Sequence, residues 1–188
     1  MKRTWIKNAR NVNEGKCFDG SVVIDGERIA EVLDKNGQSA MDCDTVVDAA
    51  GAYLLPGVID DHVHFRDPGL THKADMTSES CAAAAGGVTS FMDMPNCNPQ
   101  TTTLEALDNK FADAAQKSIV NYSFYFGATN NNADQLAALD KTHVCGVKLF
   151  MGASTGNMLV DRMDTLKKIF SNAGMLISTH CEDQNIIS

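Results

Sequence analysis

The chain has 188 residues, of which 44% are hydrophobic and 21% are charged, proportions typical of a soluble globular protein. Its formal net charge of -8 argues against a nucleic-acid partner, because phosphate binding requires concentrated lysine and arginine. No apolar run approaches the roughly 20 residues of a membrane span, and the N-terminus lacks the core of a signal peptide. We therefore expect a cytoplasmic protein with neither a nucleic-acid nor a membrane partner.

The cysteines are scattered through the chain without any C-x-x-C pair. In an intracellular protein this spacing predicts reduced thiols, several of them buried as small apolar residues. Zinc sites built on cysteine normally use close pairs, so we do not expect the cysteines to bind metal. They are Cys17, Cys43, Cys81, Cys97, Cys145 and Cys181.

Residues 1–56 are rich in short strand signals separated by turns. The segments TWIKNARNV, SVVIDGERIAEVLD and TVVDAAGAYLLPG all favour β-structure, and Asp25-Gly26 is typical of a turn between two strands. No amphipathic run of helix length occurs among them. We therefore predict a small β domain over residues 1–56.

After Gly57 the sequence alternates between strand and helix patterns. Strands are predicted at the apolar run before His62, then at VTSFMDMP, NYSFYFGA, CGVKLFM and MLISTH. Between them we predict four helices. Three cover about 74–85, 133–141 and 161–172, and the last of these is predicted to face inward with Met163, Leu166, Ile169 and Phe170. The remaining helix is indicated by the helical spacing of Leu104, Leu107, Phe111, Ala114 and Ala115. This alternation predicts right-handed βαβ units and a parallel sheet.

The parallel sheet of residues 57–188 has two possible architectures. An open dinucleotide-binding sheet would need a glycine-rich phosphate turn after its first strand, and none is present. A (β/α)₈ barrel needs about 250 residues, whereas only about 130 follow Gly57. We therefore predict an α/β fold in which 57–188 form the first half of a truncated TIM-like barrel, about five strands, after the β domain.

The stretch GVIDDHVHFRDPG places polar side chains at the end of the first barrel strand. In an extended strand His62, His64 and Arg66 project from one face, where imidazoles suit a metal and the guanidinium suits an anion. Taken alone, such a pair of histidines is equally typical of a polar strand edge facing solvent. The same alternation places Asp60 on the histidine face, where we predict that it orients an imidazole without itself binding the metal.

Further polar residues lie at later strand ends. Asp93 and Asn96 follow the second strand, where Asp93 is either a strand-end cap or a support for the site, and His180 ends the fifth strand. Lys148, in the apolar strand CGVKLFMG, must lose its charge, pair it or extend to solvent. A neutral amine there can react with CO₂ to give a carbamate, an anionic ligand able to bridge two metals. A lysine in a strand is usually an edge residue, but together with the strand-end histidines we interpret Lys148 as a ligand.

The motifs HVHFRDPG, AAAAGGVTSFMDMPNCNPQTT, GVKLF and STHCED resemble, in this order and spacing, the dihydroorotases of the amidohydrolase superfamily. The resemblance covers the chain from Leu54 onward, and residues 1–56 are similar to part of the small β-sandwich domain that many of these enzymes contain. HFRDPG together with MPNCNP favours dihydroorotase over hydantoinases and allantoinases. Those two enzymes, and a non-catalytic binding protein of the same fold, are the alternatives.

The resemblance implies two zinc ions per site. His62 and His64 would bind the more buried zinc, Lys148 as its carbamate would bridge both ions, and His180 would bind the second. His64, Arg66 and Asn96 would contact the substrate, with Arg66 forming a two-pronged ion pair to its carboxylate.

The implied reaction is the reversible cyclisation of N-carbamoyl-L-aspartate to L-dihydroorotate in de novo pyrimidine biosynthesis. These small molecules are then the expected partners, while the sequence leaves open whether the full-length enzyme is a monomer or a homo-oligomer. The family pattern also requires another metal-binding histidine and a catalytic aspartate, which we expect beyond Ser188. No catalytic residue is therefore predicted within residues 1–188, and we expect this stretch alone to be inactive and unstable.

Overall fold

The computed structural model of the chain describes residues 2–152, 154, 156–182 and 184–187. Asp183, the last residue of the STHCED motif, lies outside the described residues. The chain divides into two compact units, Met1–Pro56 and Gly57–Ser188, at the position where the sequence changes from strand signals to alternating strands and helices.

The N-terminal unit is a five-stranded β-sheet built around its longest strand, Arg3–Asn13. Strand β2 pairs antiparallel with β1 and with β3, while β4 and β5 both run parallel to β1. Gly15 and Gly26 have positive φ angles of 71° and 60°, which the tight β1–β2 and β2–β3 turns require. The strands are β1 Arg3–Asn13, β2 Lys16–Asp25, β3 Arg28–Asp34, β4 Thr45–Asp48 and β5 Tyr53–Leu54.

The second unit is the parallel β/α arrangement that the sequence predicts. Among its described residues, five parallel strands lie in the order β10-β9-β8-β7-β6, so that β6 and β10 are the edges. The strands are β6 Val58–Val63, β7 Val88–Asp93, β8 Asn121–Gly127, β9 Gly146–Phe150 and β10 Ile177–His180. The helices are α1 Met76–Ala85, α2 Leu104–Lys117, α3 Met163–Asn172 and α4 Gln184–Ile187, and a 3₁₀ helix covers Ala133–Ala138.

Two local predictions in this unit are wrong. The helix predicted over 133–141 is a 3₁₀ helix that ends at Ala138. Asp140 accepts hydrogen bonds from the backbone N–H and the hydroxyl of Thr142, a local turn that replaces a further helical turn. In α3, Met163 and Phe170 are 66% and 54% exposed, because the buried stripe runs through Leu166 and Ile169 and both residues lie roughly a quarter turn from it.

All six cysteines are described, and all are free thiols. The expectation that several are buried is wrong, because Cys97 alone is buried while Cys17, Cys81 and Cys181 are exposed. No helix within the described residues is long and apolar enough to cross a membrane.

Cys145 offers a direct test of packing just before β9. Burial raises the pKa of its thiol from the ordinary value of 9.0 to about 11. Because the thiolate is the nucleophile, we expect iodoacetamide at pH 8 to label Cys145 about 100-fold more slowly in the folded than in the urea-unfolded protein. Mass spectrometry of the labelled peptides measures both rates, with the exposed Cys17 as control. Equal rates for Cys145 in the two states would show that its surroundings are open to solvent.

Candidate active site

The strand register decides which side of the sheet each side chain occupies. Residues paired across parallel strands face the same side, and Val63, Asp93 and Phe124 form one such row across β6, β7 and β8. Phe124 belongs to the core that packs against the helices, so this row faces the helices. His62, which neighbours Val63 in β6, therefore projects from the opposite side of the sheet.

Lys148 and His180 also lie on the side away from the helices. Lys148 pairs in register with Ser178, and His180 pairs with Phe150, two residues beyond Lys148 on the same strand. The helix-facing row of these strands contains Val147, which is buried in the core. Three of the predicted metal ligands, His62, Lys148 and His180, therefore share one side of the sheet, as the alternation predicts for His62 and Lys148.

The two histidines after β6 lie side by side. The ring centroids of His62 and His64 are 5.3 Å apart. Nδ1 of His64 lies 2.7 Å from Oδ1 of Asn96, and with this amide orientation the imidazole donates its Nδ1 proton and keeps the Nε2 lone pair available. Burial lowers the pKa of His64, and the charges of Arg66 and His62 lower it further, which favours the neutral imidazole that a metal requires.

The placement predicted for Asp60 is wrong. Asp60 pairs with Phe91 and Val63 pairs with Asp93, so a shift in register lies between them and interrupts the alternation. The Asp60 carboxylate accepts a hydrogen bond of 3.2 Å from the backbone N–H of His62, and within the described part of the chain it bonds neither imidazole. Its role as an imidazole-orienting residue remains a prediction.

Arg66 and Asn96 lie together beside the histidines. Nη1 of Arg66 donates a 3.1 Å hydrogen bond to the backbone carbonyl of Asn96. The backbone of Arg66 has a φ of 63°, a left-handed conformation that a non-glycine residue adopts at an energetic cost. Arg66 and Asn96 line a cleft of about 510 Å³ together with Lys73 and Gln100. The cleft therefore contains two cationic side chains.

Lys148 is 3% exposed, with its Nζ 5.1 Å from the centroid of the Phe150 ring. Burial lowers the pKa of its amine, against a smaller opposing effect of Cys181. Within the described residues, Nζ has no hydrogen-bond or ion-pair partner. The His180 ring lies 6.0 Å from that of Phe150, and its Nε2 is 3.6 Å from a carboxylate oxygen of Glu182. A buried, unpaired amine of this kind is suited to reaction with CO₂.

The structure does not bring all the predicted ligands together. Within the described residues, no group of three or more histidine, cysteine, aspartate or glutamate side chains is close enough to hold a metal ion. The physical reason is the open sheet, in which His62 and His180 lie on opposite edge strands. The Nε2 atom of His64, which Asn96 does not use, nevertheless fits a divalent metal in donor type, as would the oxygens of a carbamate on Lys148.

Sequence reasoning missed two lysines on α2 that support the site. Lys110 is 1% exposed and forms an ion pair of 2.7 Å with the fully buried Asp93. Lys117, two turns later, pairs at 3.1 Å with Asp67, which is 4% exposed. Neither lysine was singled out from the sequence. The available signal was the acidic partner of each lysine, Asp93 at the end of β7 and Asp67 shortly after β6, because helical periodicity does not detect pairing with residues distant along the chain.

Residues 51–188 match the family model described as dihydro-orotase-like. The chain belongs to this family. A solved L-hydantoinase (dihydropyrimidinase) from Arthrobacter aurescens is 30% identical and superposes with a TM-score of 0.86. The superposition covers 100% of this chain and 42% of the hydantoinase chain. The fold is thus that of the hydantoinase-type TIM barrel, of which this chain supplies β6–β10.

The curated relatives do not separate the candidate substrates. An allantoinase of Desulfitobacterium hafniense is 36% identical over 182 residues, which are 89% of this chain and 40% of the allantoinase. A dihydroorotase of Halobacterium salinarum is 39% identical over 181 residues, 93% of this chain and 41% of that enzyme. This chain thus spans about two fifths of the length of both relatives. The preference for dihydroorotase drawn from HFRDPG and MPNCNP is not confirmed by these similar identities.

Proposed function

We propose that the complete protein is a metal-dependent dihydroorotase, which opens the cyclic amide of dihydroorotate and, in reverse, closes N-carbamoyl-L-aspartate. The main support is the position of Arg66 and Asn96 in one cleft, with Asn96 hydrogen-bonded to His64. An anion-binding pair directly beside an imidazole suits a substrate whose carboxylate is close to its reacting ring. Neither allantoin nor hydantoin has such a carboxylate.

The residues proposed to hold the metals are His62, His64 and His180, together with Lys148 as its carbamate. The bound metals, which we take to be two zinc ions, would polarise the amide carbonyl and make water nucleophilic near neutral pH. His64 would bind through Nε2, because its Nδ1 proton is donated to Asn96. We further propose that the proton is transferred by an aspartate outside residues 1–188.

Asn96 would contact both His64 and the substrate. Its Oδ1 fixes the His64 tautomer, which leaves the Nδ2 group free to donate to a substrate carboxylate. One N–H of Arg66 is used by the Asn96 backbone carbonyl, and the remaining donors of the guanidinium are available for a bidentate ion pair. The substrate would then be oriented with its carboxylate toward the cleft and its amide toward the histidines.

The decisive experiment compares ring substrates on the complete, zinc-loaded protein. We expect kcat/KM for dihydroorotate to exceed that for dihydrouracil, allantoin and hydantoin by at least about 100-fold, because a site built to bind a charged group strongly disfavours analogues that lack it. Zinc content and activity after chelation and re-addition are measured on the same sample. Preferred turnover of allantoin or hydantoin would assign the protein to that activity instead, and turnover of none would contradict an enzymatic role.

A further inference from the structure

The buried ion pair between Asp93 and Lys110 contacts the segment that contains the candidate ligands. Besides binding Asp93 at 2.7 Å, Nζ of Lys110 donates a 3.2 Å hydrogen bond to the backbone carbonyl of Met94 and lies 4.8 Å from the centroid of the Phe124 ring. The two charged side chains are 1% and 0% exposed. Each charge is therefore compensated by the other and not by water.

Asp93 also binds the backbone between the candidate ligand and the candidate anion-binding residue. Its Oδ1 accepts a 3.0 Å hydrogen bond from the backbone N–H of Phe65. The Phe65 ring packs against Phe91, with centroids 4.4 Å apart. Phe65 is thus held through both its backbone and its side chain, which fixes the directions in which His64 and Arg66 leave the chain.

We propose that Asp93 and Lys110 are positioning residues that hold the turn containing His64 and Arg66 in the geometry needed to bind metal and substrate. This inference rests on the function proposed above. Lys110 holds the Asp93 carboxylate in its orientation, and Asp93 in turn orients the Phe65 N–H. Asp93 contacts the turn through the Phe65 backbone N–H, so the two residues act through the backbone.

A second acid–lysine pair from α2 holds the far end of the same segment. Asp67 accepts a hydrogen bond of 3.2 Å from the backbone N–H of Met76, the first residue of α1, and pairs with Lys117. Lys110 and Lys117 are two helical turns apart and therefore lie on the same side of α2. The segment from His64 to Met76 is thus fixed to one helix at both ends.

A buried ion pair is poor evidence of stabilisation, because well-packed apolar residues of similar size often stabilise a protein equally well. An apolar pair cannot, however, accept a hydrogen bond from Phe65. The property that distinguishes Asp93 from an apolar residue is therefore the hydrogen bond that it accepts from the Phe65 N–H. Mutations can remove this hydrogen bond while keeping the stability of the fold.

The test uses two double variants of the complete protein that differ only at position 93. Asp93→Leu/Lys110→Met replaces both charges with apolar groups of similar size and removes the acceptor for Phe65. Asp93→Asn/Lys110→Met also removes both charges but keeps an oxygen acceptor in the same place. Melting temperature, amide exchange of the peptide containing Phe65, zinc affinity by chelator competition, and kcat and KM are measured for both.

We expect the leucine variant to fold but to lose at least about tenfold in zinc affinity, with faster exchange at Phe65, while the asparagine variant stays within about threefold of wild type. The kinetic loss in the leucine variant is expected in KM as well as kcat, since Arg66 moves with the turn. Equal zinc affinity and equal exchange in the two variants would overturn the proposal and leave the pair a structural element.

Amide hydrogen exchange of the wild-type protein provides a test that does not depend on whether the variants fold. The Phe65 amide is expected to exchange as slowly as the amides within β7, and exchange as fast as an exposed loop would overturn the proposal. If wild-type protein hydrolyses none of the cyclic amides, the proposed function fails. Zinc affinity and exchange then still decide whether Asp93 and Lys110 position this turn.

Discussion

Replacing Lys148 with methionine is expected to abolish hydrolysis while leaving the metal-free fold at least as stable as wild type. Activity is lost because methionine cannot form a carbamate, and removing several kcal/mol of charge stabilisation corresponds to a loss of at least about a thousandfold in kcat. Stability is retained because the amine is 3% exposed and its pKa is lowered by burial, so an apolar chain of similar length removes an unfavourable buried group.

The measurements are thermal unfolding after exhaustive chelation, zinc stoichiometry, and kcat on dihydroorotate. Lys168→Met, which changes an exposed lysine on α3, is the matched control and should alter neither activity nor zinc content. Lys148→Arg separates charge from carbamate chemistry, because arginine keeps a cation but does not react with CO₂. Retained activity in Lys148→Met, with one metal or two, would remove this residue from the proposed ligand set.

The sequence was sufficient to predict the parallel β/α arrangement and to single out Lys148 as unusual. Both depend on local patterns, namely strand and helix periodicity and a lysine flanked by apolar residues. These features require knowledge of one element at a time.

The errors arise where two elements have to be known together. The position of Asp60 depends on how β6 pairs with β7, and a shift in register there is invisible in the sequence of β6 alone. Lys110 was not singled out from the sequence, because helical periodicity by itself identifies no partner for a lysine. Its actual burial depends on Asp93, which is distant in sequence but adjacent in the fold. Long-range charge pairing is therefore the main information that periodicity lacks.

Replacing Arg66 with methionine is expected to separate substrate recognition from catalysis. The guanidinium already donates one hydrogen bond to the Asn96 carbonyl, and its remaining donors face a cleft that also contains Lys73. Losing a buried ion pair to the substrate corresponds to about 3 kcal/mol, which is a decrease of about 100-fold in kcat/KM for dihydroorotate. We expect most of this change in KM, because the carboxylate takes no part in bond breaking and is bound similarly in ground and transition states.

Arg66→Lys is the matched variant, since it keeps the positive charge. At a φ of 63° lysine has the same backbone cost as any other non-glycine residue, so the backbone strain does not change. It should recover only part of the loss, because lysine cannot form the planar two-pronged contact. Hydrolysis of dihydrouracil, which lacks the carboxylate, should change less than about threefold in both variants if Arg66 only binds the anion. A proportional loss on both substrates would instead show that Arg66 supports the geometry of the histidines, and the case for a carboxylate-bearing substrate would then rest on Asn96 alone.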